Sequence, residues 1–102
     1  MSDFKKEIQS LRERTEANRR DFLCAELQTC RVAIERGRLE LSLGDSHEAR
    51  KELEIASRGV EVIEKFMGEG QGRLPEIEPG LAELKAALAA LASDLDTSEK
   101  PA

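Results

Sequence analysis

The chain has 102 residues, a formal net charge of −5, 36% charged residues and 39% hydrophobic ones, which fits one small domain and excludes a disordered chain of low hydrophobicity. With no Trp, no Tyr and only three Phe (Phe4, Phe22, Phe66), any core is aliphatic. A single His and two Cys leave little material for metal or nucleophilic chemistry, and no cofactor is expected.

The opening residues, Met1 to Glu7, are charged and lack the apolar stretch of a secretory signal. From there to Leu43 the chain holds no Pro and a single Gly, at position 37, which predicts one long helix over about residues 3–43. Leu23, Leu27, Cys30, Ala33, Ile34, Gly37 and Leu41 form a broad face for a returning helix. Ala25, Val32, Leu39 and Leu43 lie on nearly the opposite side. Cys24 and Cys30, six apart, stand about 120° apart around the axis and cannot pair with each other. Without flanking His or Cys they make no zinc pattern and read as reduced thiols of a cytoplasmic chain.

Gly44 follows where a left-handed residue ends a helix, and Asp45-Ser46-His47-Glu48 then reads as a capping box. The second helix is expected over about 46–67, closed by Gly68. Ala49, Leu53, Ala56, Val60, Ile63 and Met67 make one stripe; Ile55, Gly59, Val62 and Phe66 make another. Two apolar stripes imply two neighbours, so this helix is expected in the middle of the bundle. A Gly- and Pro-rich stretch, 68–80, reads as a flexible loop.

Glu78-Pro79 then opens a third helix over about 79–95, with Pro where its missing donor costs nothing. Leu81, Leu84, Leu88, Leu91 and Leu95 hold heptad spacing on it, flanked by Ala, and Gly59 is the expected point of close approach. This most apolar window contains Glu83, Lys85 and Asp94 and is too short and too charged to span a bilayer. Residues 1–95 form a single helical domain, and 96–102 read as a disordered polar tail. The fold class is all-α, a helical hairpin or three-helix bundle.

The first helix is too long for its partner. At 1.5 Å per residue it spans about 60 Å, whereas the second spans about 33 Å and pairs back to about Phe22. Yet Phe4, Ile8, Leu11 and Thr15 keep one seam along the excess. Either the helix breaks near Asn18-Arg19-Arg20-Asp21 and folds back, or the excess meets a second copy. No Gly or Pro stands at that stretch, which favours self-association, most simply a homodimer.

Residues 33–56 resemble a tetratricopeptide repeat. Gly37 stands at the repeat's Gly position, Gly44-Asp45 at its turn, Ala49 and Ala56 at its two small positions and Leu53 between them. Ala33, Glu40 and Glu61 depart from the pattern, where the family favours a large residue, Tyr and Pro. The resemblance covers about a quarter of the chain in one copy, and implies binding of a protein or peptide on a helical scaffold.

Catalysis has little to stand on: His47 falls in a first helical turn, and the carboxylates are dispersed along helix faces. Gly68 to Arg73 lacks the Lys-Ser/Thr of a phosphate loop. A second functional class, nucleic-acid binding, would use the basic cluster Arg12, Arg14, Arg19 and Arg20. Residues 1–44 hold nine basic and eight acidic groups against seven and thirteen in 45–102, so even the more basic half is nearly neutral. The reading is a non-catalytic interaction or assembly module with no metal and no membrane. Its contact residues are Phe4, Ile8 and Leu11, with Ala25, Val32, Leu39 and Leu43 as a second surface.

Overall fold

An uninterrupted run of helix formers without Gly or Pro has nothing to stop it, and the computed structural model carries α1 without a break from Ser2 to Ser42. The alternative of a break near Arg20 is therefore excluded. α2 spans Ser46–Glu69 and α3 spans Glu78–Glu99. The structure describes the backbone of residues 2–69 and 74–99, and the side chains of these except 2–4, 11, 12 and 69.

The α1–α2 turn forms as its residues dictate. Gly44 takes φ 82°, and the amides of Gly44 and Asp45 donate back to the carbonyls of Leu41 and Glu40 at 3.0 and 2.8 Å, closing the end of α1. The Glu48 amide donates to Asp45 Oδ1 at 3.1 Å, so Asp45 caps α2. The reciprocal half of the capping box does not form, because the Asp45 amide is already donated to the Glu40 carbonyl, and the Glu48 carboxylate accepts from Lys51 Nζ at 3.1 Å instead.

The helices form a triangle in which each touches the other two. α2 runs back along α1, and α3 lies parallel to α1 with Gly80 near Leu27 and Asp94 bonded to Arg38 at 3.2 Å. The core is aliphatic: Leu23, Leu27, Cys30 and Ile34 of α1 meet Ala49, Ala56, Val60 and Ile63 of α2 and Leu84, Leu91 and Leu95 of α3. Burying such side chains stabilises a fold by about 1.5–3 kcal/mol each, which is what holds a bundle of this size together.

This geometry corrects four expectations. α2 has the two neighbours expected, its second stripe meeting α1 at Gly59 and Phe66, but it is not a middle layer, because α1 and α3 also touch directly. Gly59 receives α1 rather than α3, since Cys30 Sγ lies 2.2 Å from where a Cβ would stand. α3 instead crowds Gly37, with Leu91 Cδ2 2.8 Å from the same kind of position. Gly68 does not close α2, which continues to Glu69. α3 in turn runs past Leu95 to Glu99, because Arg50 of α2 pairs with Asp96 and with Glu99 at 3.4 and 2.7 Å and Thr97 bonds back to Ser93.

The connection into α3 is also more than a linker. Leu74 and Ile77 are buried and belong to the core. The Ile77 amide donates to the Leu74 carbonyl at 2.9 Å and the Leu81 amide to the Ile77 carbonyl at 2.9 Å, so this turn winds directly into the helix.

Candidate functional site

α1 has 41 residues and α2 has 24, and both begin or end at the same turn, so one end of α1 outlasts its neighbour. The hairpin register sets where. Folding about Gly44 brings Cys30 against Ala56 and Gly59, and Phe22 against Phe66, whose rings lie 5.0 Å apart at 52°. Arg19 Nη2 donates to the Phe66 carbonyl at 3.1 Å, and α2 ends three residues later. Residues 2–18 thus form an outer segment of about 25 Å beyond the bundle. The whole molecule is a rod of 73 × 17 × 16 Å.

Every described side chain from Lys5 to Asn18 except Glu16 is exposed. Ile8 is 37% exposed on the expected seam. The side chains of Phe4 and Leu11, the other two residues expected there, lie outside the described residues. At the inner end of the segment Phe22 and Phe66 are 40% and 42% exposed, unusually open for an aromatic pair. Sequence reasoning did not name this pair. Its signal was available: Phe22 continues the seven-residue spacing of Ile8 and Thr15, and a hairpin turning at Gly44 sets Phe66 opposite it.

The second expected surface is more scattered. Ala25 is exposed and Val32 half-buried, while Leu39 and Leu43 are 58% and 73% exposed toward the turn end of α1. By helical period these residues stand about 80° around α1 from the seam of the outer segment, so the structure does not merge the two surfaces. Val32 lies in a shallow groove with Thr29, Ala33 and Arg36 of α1 and Glu52 and Ile55 of α2. A separate hollow of about 500 Å³ between the end of α2 and the start of α3 is lined by Met67, Leu81, Ala82 and the Glu64–Lys85 ion pair.

The basic cluster is partly engaged. Arg19 reaches Glu16 at 3.5 Å as well as the Phe66 carbonyl, and Arg20 pairs with Glu76 of the connecting turn. The Glu76 carboxyl is held below its ordinary range, first by its own backbone amide and then by Arg20. Arg14 is exposed, and the Arg12 side chain lies outside the described residues.

The thiols differ. Cys24 is exposed, whereas burial and then the nearby Glu26 push the Cys30 thiol up. Cys30 Sγ donates to the Ala56 carbonyl at 3.7 Å, so this thiol packs as a small neutral group at a helix crossing. His47 is exposed, and among the described residues no three His, Cys, Asp or Glu side chains are grouped to hold a metal ion. Among the same residues no helix is long and apolar enough to cross a membrane. No family model, curated protein or solved structure matches the chain.

Proposed function

We propose that this chain is a non-catalytic assembly module that self-associates through α1. The observation that supports this reading most is the outer segment itself, continuous helix over residues 2–18 with Ile8 exposed on a seam that the sequence repeats at Phe4 and Leu11. A helix this short is marginal when it stands alone in water, and most helical stability in proteins comes from packing an apolar face. An amphipathic extension that neither α2 nor α3 covers is therefore a surface for another helix. The exposed Phe22–Phe66 pair at its base adds apolar area contiguous with that seam.

The test is absolute mass by light scattering with refractive-index detection, since a chain without Trp or Tyr barely absorbs at 280 nm. At about 100 μM the chain should give at least twice 11.3 kDa, and the double variant Ile8→Glu, Leu11→Glu should fall to the single mass while keeping its bundle ellipticity. Two charges on the seam remove apolar contact and leave ionised groups with no partner across it, a penalty of several kcal/mol. A wild-type chain that stays monomeric, or a double variant that still associates, overturns the reading.

A further inference from the structure

We infer that two copies join tip to tip, the outer segment of each α1 lying antiparallel on that of the other, in line with its α2. The inference rests on the self-association reading and specifies the partner surface and direction. α2 runs antiparallel down one line of α1, past Cys30 to Phe22, and ends opposite Arg19. Projected outward at spacings of four and three, that line passes through Thr15, Leu11, Ile8 and Phe4. A helix laid there antiparallel to α1 continues α2. In a two-fold pair the incoming segment has the length of the one it covers, about 25 Å, and its start reaches the exposed Phe22–Phe66 pair.

Charge selects this arrangement over the alternatives. Residues 2–18 hold four acidic groups (Asp3, Glu7, Glu13, Glu16) and four basic ones (Lys5, Lys6, Arg12, Arg14), so the outer segment is neutral. The remainder carries the whole net charge of −5. Antiparallel overlap of the neutral tips sets the two acidic bodies at opposite ends, beyond the screening length of about 8–10 Å. A parallel pair, or a tip docked in the partner's groove at Val32 and Ile55, brings those bodies side by side.

Cys24 supplies the readout. It is exposed, lies outside the overlap, and is the accessible thiol, Cys30 being buried. With the overlap centred near Ser10, two Cys24 backbones stand fourteen residues to either side of the two-fold axis, or about 42 Å apart along the helices. A nitroxide label on Cys24 in the full chain, read by double electron–electron resonance alongside the solution mass, should give a dimer with a main distance of about 45 Å. A dimer whose main distance falls below about 35 Å overturns the tip-to-tip geometry and leaves self-association standing. A monomer at the labelling concentration overturns both.

Discussion

At Gly59 the absence of a side chain decides how closely two helices pass. A Cβ there would stand 2.2 Å from Cys30 Sγ, well inside contact distance, and the sulfur is itself held by the Ala56 carbonyl. In an exposed helix Gly→Ala is worth about 1 kcal/mol in favour of Ala, whereas overpacking a tight core costs about 1–3 kcal/mol. The crossing term wins here because the neighbour is a short, buried side chain whose sulfur is bonded to the Ala56 carbonyl. Gly59→Ala should therefore lower stability by about 1–2 kcal/mol in urea unfolding followed by circular dichroism. In a Cys30→Ala background, where the sulfur is gone, the same substitution should become neutral or stabilising. Equal effects in both backgrounds would show that the crossing is not set by this pair. The sequence makes Gly59 legible as a close-approach residue; it does not say which helix approaches. The Ala-rich α3 looked the natural partner, but α3 lies parallel to α1 and settles at Gly37, leaving Gly59 to Cys30.

Among the elements, the segment entering α3 behaves as a plug. Composition alone marks residues 68–80 as loop, since three Gly and two Pro fall between Gly68 and Pro79. What composition hides is that Leu74 and Ile77 turn inward, at 6% and 0% exposure, and close the end of the triangle. Ile77→Ala should cost about 2–5 kcal/mol, the range of a fully buried aliphatic truncation, read as a shift in the urea midpoint at constant slope. Glu76→Ala, next to it but on the surface, should change stability by less than about 1 kcal/mol despite its pairing with Arg20. If Ile77→Ala proves as mild as its neighbour, the connection is a tether and not part of the core. The element boundaries follow the same logic. Heptad leucines reveal the α3 seam through Leu95, because an apolar period is local in sequence. The last turn to Glu99 is polar and is tied down by Arg50 of another helix, a tertiary contact that no local pattern announces.

At the scale of the whole molecule, the mismatch between 41 and 24 residues was legible as arithmetic, because rise per residue is fixed and nothing in α1 breaks it. The aromatic pair that bounds the mismatch takes one step more, since pairing Phe22 with Phe66 combines the hairpin register set at Gly44 with the period of each helix. That boundary leads to a further consequence of the proposed assembly. None of the described side chains in residues 5–18 is buried in the bundle core, and a solvated stretch of this length holds helix only weakly. The bundle that nucleates α1 lies at its inner end, so fraying should start at the tip and proceed inward to Arg19 as the partner leaves. Mean residue ellipticity should then fall on dilution through the dissociation range, by up to about a fifth, the share of the outer segment among the helical residues. The remaining signal should melt cooperatively, because every buried core residue lies in the bundle. The double variant Ile8→Glu, Leu11→Glu should show the reduced ellipticity at all concentrations. Ellipticity that stays constant while the mass halves would mean that the outer segment is helical without a partner, and that assembly draws on a preformed surface rather than ordering one.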